Sequence, residues 1–200
     1  MIHSLRLAGV VLLVAGLGAC ASAPMHFHTL VPPSAPLPPA AAPFAIDVLP
    51  VAVPSQVDQP ALVLRQGASG IAVLDGERWA SPLGDEIRGA LSADLAARLG
   101  THDVHGLPRA KDAKVIRVQL DVRRFDSEMG GNATLEASWS VRGSEQASVN
   151  CASRVAEPAG TSYDSLIEAH QRALGQVADQ VAAAVRSVAA GQPATCRSPM

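Results

Sequence analysis

Residues 116–155 read IRVQLDVRRFDSEMGGNATLEASWSVRGSEQASVNCASRV. Ile116, Val118, Leu120 and Val122 alternate with Arg117, Gln119, Asp121 and Arg123, so a strand here buries one face and wets the other. Phe125 falls on the opposite parity, which points to a bulge near Arg123 and Arg124. After the turn Met129-Gly130-Gly131-Asn132, the residues Ala133, Leu135, Ala137, Trp139 and Val141 alternate with Thr134, Glu136, Ser138, Ser140 and Arg142. A second turn at Gly143-Ser144 leads into Val149, Cys151 and Val155, alternating with Ser148, Asn150 and Arg154. The stretch therefore predicts a three-stranded antiparallel meander with one apolar face that needs a cover.

Two helical stripes on either side can supply it. Leu83, Ile87, Leu91, Leu95 and Leu99 recur every four residues, with Asp85, Glu86, Arg88, Asp94 and Arg98 largely filling the rest. Ser81 is placed to cap this helix, Pro82 suits its first position, and Gly100 can end it in a left-handed conformation. The second helix opens at Thr161-Ser162-Tyr163-Asp164, a hydroxyl-x-x-acid start. Leu166, Ile167, His170, Leu174, Val177, Val181, Ala184, Val185 and Val188 then form its stripe over about seven turns. Upstream, Ala61 to Arg65 and Ile71 to Leu74 flank Gln66-Gly67-Ala68-Ser69-Gly70 as a hairpin. Phe44 to Val53 leans to strand, but Pro50 and Pro54 demote it to an edge or a bulge. Strands, helix, three strands and helix give an α+β fold, a two-layer sandwich of largely antiparallel sheet with two amphipathic helices on one face.

The 200 residues suit one domain, and with 3% aromatic residues the core has to come from Val, Leu, Ile and Ala. A formal charge of -2 offers no cationic surplus for a phosphate backbone, which excludes nucleic acid as a partner. The chain begins Met1-Ile2-His3-Ser4-Leu5-Arg6, followed by an uncharged apolar run from Leu7 to Ala19 and then Cys20. That run is too short for a bilayer core of about 30 Å and reads as a signal peptide. Its end, Leu17-Gly18-Ala19-Cys20, resembles the bacterial lipobox, in which the thiol is diacylglycerated, the leader is cut before the cysteine and the new amine is acylated, for example with palmitate. Several acyl chains on one residue give a firm membrane hold. Ala21, where inner-membrane lipoproteins usually carry Asp, points by the lipoprotein sorting rule to the outer membrane.

If lipid takes Cys20, Cys151 and Cys196 remain. In an oxidising periplasm they read as a disulfide, the alternative being two unpaired thiols. Pro32 to Pro43, PPSAPLPPAAAP, is half proline and would span roughly 35 to 40 Å as a stiff tether.

No Gly-x-Ser-x-Gly elbow, His-Glu-x-x-His, Walker loop or Gly-x-Gly-x-x-Gly occurs, so the expectation is not an enzyme and no cofactor. His26 and His28, with His102 and His105, have imidazoles suited to Zn or Cu, but they fall in separate surface segments and read better as solvated loop histidines. His170, on an apolar stripe, reads as a hydrogen-bonded core histidine. The polar face of the meander, with Arg117, Arg123 and Arg142 against Asp121 and Glu136, is either a solvated sheet face or a docking surface with an edge strand open to augmentation.

A succession of features is similar to the PqiC-type auxiliary lipoproteins of ABC-type and MCE-type transport systems. After the lipobox comes a short strand by that resemblance, here Phe27-His28-Thr29-Leu30, then Pro54-Ser55-Gln56-Val57-Asp58-Gln59-Pro60, then Leu62-Val63-Leu64-Arg65, then Arg78-Trp79-Ala80-Ser81-Pro82-Leu83 opening the first helix. The resemblance implies a lipoprotein on the periplasmic face of the outer membrane. It would dock an MCE-domain protein whose ABC or integral-membrane subunits sit in the inner membrane, and so assist lipid or hydrophobic-solute transport; a homo-oligomer is left open. Trp79 is then either a partner-facing anchor or a core plug beneath the first helix. The division expected is a signal peptide at 1–19, a lipidated N-terminus and Pro-rich tether at 20–43, an auxiliary-lipoprotein domain at 44–190 and a tail at 191–200. A competing reading is a lipoprotein that assists outer-membrane assembly by binding a β-barrel.

Overall fold

In chain order the elements are β1 (His26–His28), β2 (Ala45–Val48), β3 (Ala61–Gln66), β4 (Gly70–Trp79), α1 (Leu83–Leu99), β5 (Val115–Ser127), β6 (Asn132–Arg142), β7 (Ser148–Pro158) and α2 (Tyr163–Ala189). They come from a computed structural model that describes residues 24–33, 42–108, 113–143 and 147–196. The leader, Cys20, most of the Pro-rich stretch and the last four residues lie outside the described residues.

The predicted meander is present as β5-β6-β7, antiparallel throughout, and β2 joins it in parallel on the free side of β5. The register of β5 against β6 shifts between Val122 and Arg124, which returns Phe125 to the buried face as its parity required. The hairpin β3-β4 forms a second sheet, and β1 adds to it in parallel beside β4. Pro50 limits β2 to four residues, after which an isolated bridge links Ala52 to Asp121.

Helix α2 lays its stripe across the apolar face of β5, β6 and β7, and every residue predicted for that stripe is buried. Alanines 169, 173, 178 and 182 of α2 are buried too, and α1 packs alongside with Leu83, Ile87, Ala90, Leu91 and Leu95 inside. Small side chains let the two helices approach closely while the sheet supplies the larger Val, Leu and Trp groups. The indole N–H of Trp139 is satisfied inside the core. Trp139 Nε1 donates to Ser153 Oγ at 2.8 Å, and Ser153 in turn donates to Gln180 Oε1 at 2.6 Å.

The caps differ from expectation at the first helix. Pro82 occupies the N-cap of α1 with no side-chain cap, and the Ser81 hydroxyl instead donates to Glu86 Oε1 at 2.6 Å. A buried carboxylate nearby is the stronger acceptor, so the hydroxyl turns to it rather than to the backbone. Gly100 ends α1 at φ 61° and ψ 45°, the left-handed cap its position called for. On α2 the cap is Ser162, in a reciprocal box with Ser165, rather than Thr161 with Asp164. Cys151 on β7 and Cys196 after α2 are joined by an S–S bond of 2.04 Å, with Cα atoms 5.5 Å apart.

Two divisions of the chain need correction. The folded domain does not begin at residue 44. β1 already pairs with β4, and Leu30 is 1% exposed in the same core as β2 and α1. The Pro-rich stretch therefore connects two parts of one domain and cannot act as a tether between domain and membrane. Trp79, offered as a partner-facing anchor, is 5% exposed, with its ring edge-on to Phe125 at 6.0 Å. It is a core residue because it ends β4 where the strand turns under α1.

Candidate functional site

The chain segment just after Cys20 is where the anchoring chemistry would meet the fold. His26, Phe27 and His28 pair in parallel with Glu77, Arg78 and Trp79. Alternation puts both imidazoles on one side, and both reach the same carboxylate: His26 Nδ1 to Glu77 Oε1 at 2.9 Å, His28 Nε2 to Glu77 Oε2 at 2.6 Å. Burial pushes the Glu77 carboxyl up, but the hydrogen bonds to His28 and His26 outweigh it and hold the group below its ordinary range. The His28 ring also lies 6.1 Å from that of Tyr163, at the start of α2.

The next residues are pinned from two sides. Glu86, 4% exposed on α1, accepts from the Leu30 amide at 2.9 Å, from Thr29 Oγ1 at 2.7 Å and from Ser81 Oγ at 2.6 Å. Gln171 of α2 donates to the Thr29 carbonyl at 3.3 Å. A charged acceptor inside the fold is tolerated because three donors converge on it. While this segment is fixed, Met25 and Phe27 stay out, at 47% and 63% exposure.

A groove runs between α1 and α2, lined by Leu30, Ala90 and Leu174 and edged with charge. Arg98 spans it: Nη1 donates to Asp94 Oδ1 at 2.6 Å, Nε to Asp179 Oδ1 at 2.6 Å, and Nη2 to the Gly175 carbonyl at 3.1 Å. Arg172 closes the far edge on Glu157 Oε2 at 3.0 Å. These arginines are spent on bracing helices, so the groove offers a mixed, internally paired rim.

The polar sheet face holds a ladder of ion pairs, Arg154–Glu136 at 3.3 Å, Arg124–Glu136 at 3.6 Å and Arg65–Asp126 at 3.0 Å, with Arg124 also on Asp126. Arg117 turns instead to Asp47, 1% exposed, at 3.3 Å. His105 Nδ1 reaches the same Asp47 at 2.9 Å. Asp103 accepts from the Val48 and His105 amides, Arg88 and Ser92 at 2.8 to 3.1 Å. His105, in the connection from α1 to β5, thus serves β2 through Asp47, whereas His26 and His28 serve β1 through Glu77, and among the described residues these imidazoles share no side-chain partner. Among the described residues no group of three or more His, Cys, Asp or Glu is placed to hold a metal ion.

His170 is 2% exposed, stacked on Phe125 at 4.0 Å, with Nε2 2.8 Å from Ser127 Oγ and Nδ1 unpartnered. Burial pushes its pKa down to about 3, against a small upward pull from Asp126. It is a neutral core histidine. Glu86 and Asp103 are the residues that sequence reasoning missed. Glu86 had been placed among the solvent-side charges of α1, and only its i+3 relation to Leu83 hinted at the buried side.

A family model described as "ABC-type transport auxiliary lipoprotein component" matches residues 28–182. No curated protein matches the sequence. Among solved structures, that of an uncharacterized protein superposes with a TM-score of 0.64 at 18% identity, over 83% of this chain and 99% of that one. A crystal structure of a protein from Xanthomonas campestris does so with a TM-score of 0.61 at 21% identity, over 83% of this chain and 98% of that one. These two likenesses establish the fold. The family match starts at His28, inside β1, and therefore takes in the segment pinned by Glu86 and Gln171.

Proposed function

The chain belongs to the family of ABC-type transport auxiliary lipoprotein components, and from that premise we propose that it is lipidated at Cys20 and held on the periplasmic face of the outer membrane. There it docks the periplasmic end of an MCE-domain protein whose ABC or integral-membrane subunits lie in the inner membrane. The assembly moves lipid or another hydrophobic solute between the membranes. The work of this chain is anchoring and docking, and the family it belongs to is one of auxiliary transport components rather than of enzymes.

The observation that carries this reading is continuity. A domain matched from His28 to Ala182 starts within a few residues of a cysteine that ends an apolar leader. Such a chain is built to hold its domain near a lipid surface, where a partner crossing the periplasm can find it. The polar sheet face, with its ion-pair ladder, and the interhelical groove are the surfaces left for that partner.

The test is affinity purification of the lipidated protein from membranes. Recovery with an MCE-domain protein supports the proposal. Recovery with a β-barrel assembly partner and no MCE protein would refute it in favour of an outer-membrane assembly role. The anchor is tested separately by Cys20→Ser, which is expected to abolish fractionation with outer membranes; continued fractionation there would refute lipidation at that residue.

A further inference from the structure

The geometry points to a direct contact between the β1 end of the domain and the bilayer, with Phe27 and Met25 seated among the lipid headgroups. This rests on the proposed acylation of Cys20. Five residue steps separate Cys20 from Met25, and even fully extended they span at most about 18 Å. A domain of about 160 residues has a radius of gyration of about 15 Å. The leash is thus shorter than the domain is wide, and the Pro-rich stretch, coming after β1, adds nothing to its reach. Only the face around β1 can lie against the membrane that holds the acyl chains.

That face carries the right groups. Phe27, at 63%, is the most exposed large apolar side chain among the described residues, and Met25 beside it is 47% exposed. Both stand out at a place where the chain is otherwise firmly held: β1 is paired to β4, Leu30 is buried, and Glu86 fixes the Leu30 amide. A rigid strand presenting an aromatic ring and a thioether outward suits the boundary between headgroups and acyl chains. Arg78 sits opposite Phe27 in the register, so its side chain projects on the same face. Its Nε donates to the Asp75 carbonyl at 3.3 Å, and among the described residues its terminal N–H groups have no partner and can meet lipid phosphate. Ile71, also exposed, lies six residues back along β4 from Glu77, about 20 Å away, and serves as the comparison position on the same strand.

The experiment uses the lipidated mature protein with Phe27→Trp, reconstituted in vesicles of phosphatidylethanolamine and phosphatidylglycerol with brominated acyl chains. The native Trp79 and Trp139 are buried and give the background. The fluorescence added by the residue-27 substitution is expected to fall to half or less of its value in unbrominated vesicles. In an Ile71→Trp protein the added fluorescence should change by less than about a tenth. If the residue-27 signal is as insensitive as the residue-71 signal while the protein floats with the vesicles, the contact does not exist, although the anchor stands. If mass spectrometry finds Cys20 without acyl chains, the anchor reading fails and the contact with it.

Discussion

Acidification from pH 7.5 to pH 5.0 is expected to weaken the fold through His170. The imidazole is neutral in the folded chain, its pKa held near 3 by burial, while in the unfolded chain it returns to the ordinary 6.5. Between those values the unfolded state binds a proton that the native state refuses, so stability falls as pH falls and the full stability is present above 6.5. At pH 5.0 the unfolded form is favoured by about 1.5 pH units, or about 2 kcal/mol. The structural reason is the setting of the ring: Phe125 stacked on one side at 4.0 Å, Ser127 as its hydrogen-bond partner, and Nδ1 with nothing to receive a proton's charge. Asp126 acts on the ring with its charge, yet it is itself held by Arg65 and Arg124 and offsets little.

The contribution of His170 is isolated by measuring the difference between two proteins. Urea unfolding of the mature, disulfide-intact chain would be followed by the fluorescence of Trp79 and Trp139 at both pH values, for the native sequence and for His170→Leu. Leucine leaves Ser127 without its partner, which lowers stability at every pH by about 1 to 3 kcal/mol, but it removes the titrating group. The native protein should lose about 2 kcal/mol more than the variant on acidification. Equal losses would mean that His170 takes up its proton in the native state, and the reasoning from burial would be wrong.

Two further outcomes are expected. Glu86→Ala should destabilise the protein by about 2 to 4 kcal/mol, because it strips a buried acceptor from the Leu30 amide and two hydroxyls; faster hydrogen exchange at Leu30 than at Val118 would locate the loss, and unchanged exchange there would refute the pinning role. Cys151→Ser should cost about 3 to 4 kcal/mol by releasing a bridge across 45 residues, and the native protein should gain two mass units on reduction, whereas free thiols titrating in the native state would refute the pairing.

The meander was legible because period-2 alternation survives one irregularity, and the misplaced parity of Phe125 even located the bulge at Val122–Arg124. The stripe of α2 was legible for the same reason at a period of 3.6, down to His170 as a core residue. What escaped were the partners reached across long sequence separations. Glu86 looks like a surface acid of α1, since nothing local shows that Thr29 and Leu30 come to it from 57 and 56 residues away. Arg117, which the alternation sets on the polar face with Asp121 and Glu136, reaches Asp47 instead, brought in by a parallel strand whose register no local pattern encodes. Trp79 illustrates the same limit: an aromatic before a helix start fits a plug or an anchor equally well until the neighbouring Phe125 is in place.

The sequence by itself determined the meander, the hairpin, the two helices and their apolar faces, since periodicity and turn residues act over a few positions and burial follows from them. Which segments belong to the domain was decided only in three dimensions. A three-residue strand before the Pro-rich stretch has too few residues to declare itself, and its membership of the fold depends on β4 offering an edge and α1 offering Glu86. Once β1 is inside the domain, the proline segment becomes a connection, and the leash proposed at Cys20 would be only the few residues that precede β1.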